Sequence, residues 1–348
     1  MGKLASKNKL NYLKSLKIMH HSCWYDKGGV NGNYSCEECQ LEKDLKKATK
    51  MIKLSNGYCY DMGCAAGAFG FLNGWWWERP LCWTGILRPQ DWTITTKSLT
   101  MSPIKGNLKI WWPFNLYRNC VQTFHDGVNS GTVNAVGMTN PSLPVWIRDY
   151  YPKVQKLGLN VIVNVIPYTV EEAEFMGMLL DDLKDIKGVE LNLSCPSCKK
   201  TESDPYDLVK ALKSNCKHPL GIKLGYSDDF NDNVIVKDCE NYIEFVTLIN
   251  CVKWEQLYPN TPSPLAPYGL TGGVSGAPIR SLARASLAAY KASGLKVPVV
   301  SCGGIESEGE AYSRFVMGAN AIQIGVKIKN DPIGAQKMFD SIVSNIRK

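Results

Sequence analysis

The sequence lacks any run of 18 uncharged apolar residues, so no segment is predicted to span a membrane. It also lacks the apolar core of a signal peptide, because Lys9, Lys14 and Lys17 interrupt the early apolar stretches. Residues 51–348 have little excess charge: the net charge is +8, and residues 1–50 hold ten lysines against five acidic residues. These absences predict a cytoplasmic protein whose main body has no nucleic-acid-binding face.

The cysteine content predicts reduced thiols rather than disulfides. The chain has 13 cysteines, an odd number, and carries no recognisable export signal. Most of them are expected to be small buried hydrophobic residues in a reducing compartment. With 348 residues, 45% of them hydrophobic and 21% charged, the chain is long enough to bury a large core.

The chain divides near residue 51 into a lysine-rich N-terminal extension, residues 1–50, and a main domain, residues 51–348. In the main domain, strand-like runs alternate with amphipathic segments, which is typical of an α/β fold. Eight strands with helical crossovers predict a closed (β/α)8 TIM barrel, and an open doubly wound sheet is the alternative. The aromatic stretch 99–137 is predicted to be an insertion over the barrel mouth. The strand candidates are residues 62–66, 93–98, 160–165, 189–193, 221–224, 245–249, 297–301 and 321–324.

The N-terminal extension carries two weak motifs. His20-x-x-Cys23 and Cys36-x-x-Cys39 have the spacing of a zinc knuckle, although unligated thiols are the simpler interpretation. Residues 1–6 match a myristoylation pattern at Gly2, which would be accidental in a bacterial protein. A basic amphipathic stretch, residues 10–19, could contact a membrane surface or an electron-transfer partner.

The ends of the predicted strands carry an unusual set of residues. In a barrel these ends point at the active site, and here they supply small residues, lysines, amides and glycine pairs. Taken singly, each is more often a turn or a solvated residue, but together they predict a site for a polar, anionic, planar ligand. The set comprises Gly67, Lys97, Asn164, Asn192, Cys195, Lys223, Asn250, Gly303, Gly304 and Gly325.

The motifs and their order resemble the dihydroorotate dehydrogenase family, in its soluble, class 1 branch with a cysteine base. The resemblance covers about residues 51–348. It is carried by AAGAFG (65–70), TTKSLT (95–100), GN (106–107), VNAVGMTNP (133–141), LNLSCPS (191–197), GIKL (221–224), VTLINC (246–251), GGVSGAPIR (272–280), VPVVSCGGI (297–305) and GANAIQIGV (318–326).

The resemblance implies that FMN lies across the barrel mouth. The cofactor phosphate would be held by backbone N–H groups of Gly276, Gly303, Gly304, Gly325 and Val326. Lys97 and Lys223 would be the cations near the isoalloxazine ring, where positive charge stabilises the reduced flavin. The remaining cofactor-binding residues implied are Ala66, Gly67, Ser98, Asn164, Asn192 and Ile249.

The resemblance also implies the substrate, dihydroorotate, and a role in pyrimidine biosynthesis. Cys195 would be the base that removes the C5 proton while hydride passes from C6 to flavin N5. Amides suit the ring edges of a dihydropyrimidine because they both donate and accept hydrogen bonds. No metal is implied. The implied substrate-binding residues are Lys97, Asn134, Val136, Gly137, Met138, Asn192, Ser197, Asn250 and Cys251.

Several positions depart from the family pattern. Ser197 stands where the family has asparagine, Cys251 where it has serine or threonine, and Val326 where it has threonine. The first two departures bear on substrate specificity. Oxidation of another dihydropyrimidine, or a non-catalytic flavoprotein, are therefore the alternatives to dihydroorotate oxidation.

The expected partners follow from the resemblance as well. The electron acceptor could be fumarate, quinone, or NAD reached through an iron–sulfur partner subunit. The branch also implies a homodimer.

Overall fold

The computed structural model describes residues 51–75, 77–107, 119–194, 203–228 and 232–347. Thr49–Lys348 forms one compact unit. The N-terminal extension, with its predicted zinc and lipid motifs, lies outside the described residues, so its boundary at residue 50 stays a prediction. The described strands are β1 (Ile52–Lys53), β2 (Cys59–Tyr60), β3 (Met62–Cys64), β4 (Thr93–Thr95), β5 (Val121–His125), β6 (Ser130–Asn134), β7 (Asn160–Val165), β8 (Gly188–Asn192), β9 (Leu220–Leu224), β10 (Phe245–Leu248), β11 (Val252–Lys253), β12 (Gly273–Gly276), β13 (Val299–Cys302) and β14 (Ala321–Ile324).

Eight parallel strands close into a barrel in chain order: β3, β4, β7, β8, β9, β10, β13 and β14. β14 closes the ring by pairing with β3, with Ile322 opposite Met62. These strands are buried along nearly their whole length, as expected for a parallel sheet covered by helices, so their sequences read as apolar runs rather than as alternation. The predicted (β/α)8 barrel is confirmed, and each of the eight strand candidates overlaps an observed barrel strand.

Helices follow most barrel strands, and side chains fix several helix starts. Thr169 accepts a hydrogen bond from the backbone N–H of Glu172, and Ser307 does the same for Glu310. Such N-caps contribute about 1 kcal/mol each. The described helices are α1 (Arg79–Trp83), α2 (Leu143–Asp149), α3 (Tyr151–Leu157), α4 (Val170–Asp181), α5 (Pro205–Ser214), α6 (Asp232–Cys239), α7 (Trp254–Leu257), α8 (Arg280–Ala292), α9 (Glu308–Val316), α10 (Val326–Asn330) and α11 (Pro332–Ile346), with short 3-10 helices at Pro89–Asp91, Ala266–Tyr268 and Ala277–Ile279.

The amino-terminal end of the barrel is closed by apolar side chains. Tyr60 and Phe245 are fully buried and meet edge to face, with 5.9 Å between ring centroids. The β1–β2 hairpin adds Ile52 and Leu54 to the same cluster. This cluster fills the end of the barrel away from the carboxyl ends of the strands, where active sites of such barrels lie.

The predicted insertion forms part of a second sheet. Strands β5 and β6 pair as a hairpin, and β6 also pairs with β12, which in turn pairs with β11. This antiparallel sheet brings Asn134, at the end of β6, opposite Gly273 on β12. Across the described ranges, no helix is both long and apolar enough to cross a membrane.

Candidate active site

A cavity of about 390 Å³ lies between the carboxyl ends of the barrel strands and the four-stranded sheet. Its size is within the range typical of small-molecule sites, about 300–1,000 Å³. Nearly all predicted site residues that the structure describes line this one cavity. They are Ala66, Gly67, Lys97, Ser98, Asn134, Val136, Gly137, Met138, Asn192, Lys223, Ile249, Asn250, Cys251, Gly276, Gly303, Gly304, Gly325 and Val326.

Three predicted residues are not among the lining residues. Cys195 and Ser197 lie outside the described residues, so the proposed base and its neighbour are not located here. Asn164 is fully buried, and its Nδ2 donates to Glu190 Oε1 at 2.7 Å, among buried polar side chains of the barrel interior. Its Oδ1 has no hydrogen-bond partner among the described residues. Asn164 is therefore placed to support the site rather than to line it.

Lys97 follows β4 and reaches across the cavity wall. Its Nζ donates to the carbonyl oxygen of Thr139 at 2.7 Å and lies 5.8 Å from the centroid of the Phe71 ring. Its stem passes close to Gly67, where an added Cβ would lie 3.4 Å from Lys97 Cγ. Since Gly67 has φ +83°, glycine allows both this backbone conformation and the close approach.

Buried polar side chains inside the barrel support the second lysine, Lys223, which is 3% exposed. Glu190, fully buried, accepts hydrogen bonds from Thr247 Oγ1 at 2.7 Å and from Gln323 Nε2 at 3.0 Å. The Nζ of Lys223 lies 3.5 Å from Gln323 Oε1. Burial disfavours the ammonium, but attraction to nearby acidic groups, Cys302 and Glu190 among them, holds the pKa of Lys223 above its ordinary value.

Three asparagines form the polar wall of the cavity. Asn250 Nδ2 donates to Asn192 Oδ1 at 3.1 Å and to the Ser194 carbonyl oxygen at 3.2 Å. Asn192 Nδ2 donates to Ser98 Oγ at 3.2 Å. From the second sheet, Asn134 Nδ2 lies 3.3 Å from the Gly273 carbonyl oxygen and 3.8 Å from Cys251 Sγ. The amides are thus held by one another and by backbone.

The backbone of residues 136–138 is held in an unusual conformation beside these amides. Met138 has φ +59°, a positive value rare for a residue with a side chain. Asn107 fixes this loop, since its backbone N–H donates to the Val136 carbonyl at 2.9 Å and its Nδ2 to the Ala135 carbonyl at 2.8 Å. The Gly106-Asn107 motif therefore shapes the cavity indirectly, by holding this loop in place, and does not itself line the cavity.

Glycines at the ends of β12, β13 and β14 line a second part of the cavity, referred to as its glycine end. Gly276, Gly303 and Gly304 all have positive φ, between +73° and +107°. Two arginines orient this backbone: Arg314 donates to the Gly303 carbonyl at 2.9 Å, and Arg280 to the Gly304 carbonyl at 3.0 Å. Because a trans peptide points its N–H away from its C=O, these bonds turn the following N–H groups away from the arginines.

Arg314 was not predicted from the sequence, although it is fully buried. It pairs with Glu310 one turn earlier on α9, with Nε and Oε1 2.7 Å apart, and its Nη1 donates to Ser301 Oγ at 3.1 Å. A Glu and an Arg four residues apart in a predicted helix usually form a surface pair. The spacing therefore indicates the pair but does not reveal its burial.

Two tryptophans from the loop after β3 also line the cavity and were not predicted. Trp75 and Trp77 stack with 5.4 Å between ring centroids, and Trp75 Nε1 donates to the Gly67 carbonyl at 3.3 Å. Glu78 holds the loop by accepting from the backbone N–H of Trp75 at 2.8 Å. Burial raises the pKa of Glu78 to about 7. In the sequence, the aromatic run that follows AAGAFG is the signal that could have indicated these cavity-lining tryptophans.

The lining fits a flavin nucleotide by two features of this structure. The glycine backbone could approach a phosphate closely, and cations with amides could face a flat ring system. Within the described ranges no cluster of three or more histidine, cysteine or acidic side chains is arranged to hold a metal ion.

Comparison with known proteins identifies relatives of this chain. The profile of the family described as Dihydroorotate dehydrogenase matches residues 94–346. An Aquifex aeolicus protein named "Putative dihydroorotate dehydrogenase A (fumarate)" is 32% identical over 223 residues, which is 61% of this chain and 72% of that protein. A Bacteroides thetaiotaomicron protein named "Dihydroorotate dehydrogenase B (NAD(+)), catalytic subunit" is 29% identical over 220 residues, again 61% of this chain and 72% of the relative.

A solved structure shares the fold. The DHODH of Eimeria tenella, solved in complex with ferulenol, superposes with a TM-score of 0.60 at 17% sequence identity. The match covers 99% of this chain and 91% of that one. At this identity the likeness concerns the fold alone.

Proposed function

We propose that this chain, which belongs to the dihydroorotate dehydrogenase family, oxidises (S)-dihydroorotate to orotate with FMN as cofactor. Family membership confirms the predicted class 1 resemblance and makes the chain an oxidoreductase acting on a CH–CH bond. The family is flavin-dependent. The identity of the flavin, the substrate and the base are the parts that we propose.

The observation that carries the proposal is that one cavity joins two complementary surfaces. Glycine backbone at the ends of β12, β13 and β14 forms one end, and Lys97, Asn134, Asn192 and Asn250 form the other. The first suits a phosphate, because backbone N–H groups bind anions without side chains. The second suits a small ring that carries both hydrogen-bond donors and acceptors.

The chain's own residues would bind the substrate and move one proton. The amides of Asn134, Asn192 and Asn250 hold the ring edges of dihydroorotate. Cys195, as thiolate, takes the proton from C5, and the electron pair of that C–H bond forms the C5=C6 double bond. The bound flavin supplies the acceptor for the hydride that leaves C6. Each oxidation therefore releases one proton and transfers two electrons.

The proposal is tested by anaerobic reduction of the purified, FMN-loaded chain. Addition of dihydroorotate is expected to bleach the flavin and to yield orotate in equal amount, as followed by absorbance and chromatography. Protein that binds no flavin, or flavin that no dihydropyrimidine reduces, would contradict the proposal.

A second candidate substrate is another dihydropyrimidine, which the residues at the amide wall favour. Cys251 stands beside Asn134 where a hydroxyl is usual, and Ser197 replaces an amide. A site that loses an amide discriminates less sharply between related rings. The same reduction experiment with dihydrouracil and dihydrothymine separates the candidates, because only the true substrate should bleach the flavin rapidly.

The electron acceptor is a further proposal, with two routes suggested by the names of the relatives. One relative is named for fumarate, and the other is the catalytic subunit of an NAD(+) form, which implies a partner subunit there. We propose fumarate as the acceptor for the isolated chain, since it needs no second protein. Reoxidation of the reduced protein by fumarate, with NAD+ alone as the comparison, tests this route.

A further inference from the structure

Lys329 lies at the glycine end of the cavity and was not predicted as a site residue. It is on α10, one turn after Gly325, and its backbone N–H lies 3.3 Å from the Gly325 carbonyl oxygen. Its side chain is accessible to solvent and lines the cavity together with Gly276 and Val326. The ammonium is therefore directed to the end where backbone amides, rather than side chains, form the wall.

Among the described residues, this ammonium has a hydroxyl neighbour and no carboxylate partner. Its Nζ lies 3.5 Å from Thr132 Oγ1, and none of the ion pairs among the described residues includes it. Thr132 on β6 pairs in register with Ser275 on β12, and both line the cavity. Desolvation lowers the pKa of Lys329, with no opposing attraction from an acidic group. A cation held in this way lacks a counter-ion of its own.

One carboxylate does lie at the same end, and it is already engaged. Glu306 Oε1 accepts from the backbone N–H of Ala277 at 3.0 Å, and Oε2 lies 3.9 Å from Arg280 Nη2. Glu306 thus has two partners of its own, while Lys329 has a hydroxyl neighbour. An anionic group entering this end would find in Lys329 a cation that makes no ion pair within the described part of the chain.

We propose that Lys329 recognises the phosphate of the flavin nucleotide and makes the site prefer the phosphorylated cofactor over riboflavin. The inference rests on the proposed function, because it takes the cavity to be the flavin site. Backbone N–H groups at Gly276, Gly303 and Gly304 give shape to that end, and Lys329 with the Thr132 hydroxyl adds charge. This assigns a cofactor-binding role to a residue outside the motifs that carry the family resemblance.

The test compares FMN with riboflavin, which differ only in the phosphate. Dissociation constants of both are measured by flavin fluorescence for the full apo-chain and its Lys329→Met variant. We expect the variant to lose about 10- to 100-fold in FMN affinity, as charge-assisted hydrogen bonds are worth, and to bind riboflavin unchanged. An unchanged ratio of the two constants would overturn the proposal.

Two further variants control this measurement. Lys327→Met removes a neighbouring charge on the same helix, but Lys327 already pairs with Asp331 at 2.6 Å, so FMN affinity should be retained. Should Lys329→Met fold poorly, Lys329→Arg and Lys329→Gln decide the matter. Arginine should keep the preference for FMN and glutamine should lose it, whereas equal constants for these two variants would reject a charge effect.

The outcome remains separable from that of the proposed function. FMN preference that depends on Lys329, in protein that dihydroorotate does not reduce, would refute the proposed substrate alone. Reduction by dihydroorotate with an FMN preference that ignores Lys329 would refute only the present inference.

Discussion

The two ends of the cavity are built from different materials. The glycine end is mostly main chain, shaped by positive φ at Gly276, Gly303 and Gly304 and oriented by buried Arg314 and partly exposed Arg280. The amide end is mostly side chains, Lys97 and three asparagines, each held by hydrogen bonds to neighbouring side chains or backbone. A wall made of main chain tolerates substitution by any residue that can adopt its backbone conformation. At a wall made of side chains, a single substitution removes one functional group. Substrate choice can therefore change at the amide end without disturbing the glycine end.

The largest expected effect is that of Cys195→Ala, which should lower the rate of flavin reduction and leave FMN binding unchanged. Without the proposed base, the rate of flavin reduction by dihydroorotate should fall about 10²- to 10⁴-fold, the usual contribution of a general base. Binding of FMN at the glycine end should be unchanged. Stopped-flow absorbance measures the first quantity and fluorescence titration the second; a variant reduced at the wild-type rate would exclude Cys195 as the base.

The next largest effect is expected at the glycine end. In Gly304→Ala the new Cβ would lie 2.6 Å from Arg280 Cβ and 2.7 Å from its Cα, so backbone must shift. Displacement of this kind costs about 1–3 kcal/mol, which predicts a loss of about 10- to 100-fold in FMN affinity.

Gly294→Ala is the matched control for this substitution. Gly294 has φ +77°, close to the +73° of Gly304, but an added Cβ there meets nothing within 4 Å. Its variant should lose some stability and keep its flavin. Equal flavin loss in both variants would show that general destabilisation, rather than the cavity wall, is responsible.

A smaller effect is expected from Asn250→Ala. The amide contacts Asn192, the Ser194 carbonyl and the Cys251 N–H, so its removal loosens the amide wall. With about one to two hydrogen bonds lost, kcat/KM for dihydroorotate should fall on the order of tenfold while FMN affinity is kept. Asn345→Ala, which removes an exposed amide on α11, is the control. Lost FMN affinity in Asn250→Ala would contradict independence of the two ends.

The smallest effect on the site is expected from Glu78→Gln, beside the tryptophan loop. Burial raises the pKa of Glu78 from 4.5 to about 7, so between these values the folded chain holds a proton that the unfolded chain has released. Wild-type stability should therefore fall, relative to the variant, as pH rises through this window. We expect the difference in unfolding free energy to change by about 3 kcal/mol between pH 4.5 and pH 8. Denaturant titrations at both pH values measure it, and a constant difference would refute the buried-acid interpretation.

The barrel strands and the residues at their carboxyl ends could be predicted from the sequence. Strand runs such as Asn160–Val165 are apolar because parallel strands are buried, so the order of the barrel strands follows from the sequence pattern alone. Residues directly at strand ends, such as Lys97 and Asn250, line the cavity, and their roles there stay predictions.

Residues that reach the site through tertiary contacts could not be placed from the sequence. Asn164 ends a strand yet turns to Glu190, because a buried carboxylate requires donors. Arg314 lies on a helix, and Lys329 lies after the last motif. The sequence position of neither residue shows that its side chain is directed towards the site. The pairing of β6 with β12, which delivers Asn134, links segments about 140 residues apart and depends on the folded barrel.

A crystal structure of the protein with FMN and orotate would test the central claim most directly. Our account predicts the phosphate at the backbone of Gly276, Gly303, Gly304 and Gly325, with orotate against Asn134, Asn192 and Asn250. A phosphate bound among the asparagines, or orotate bound away from them, would contradict the division of the cavity into a backbone end and a side-chain end.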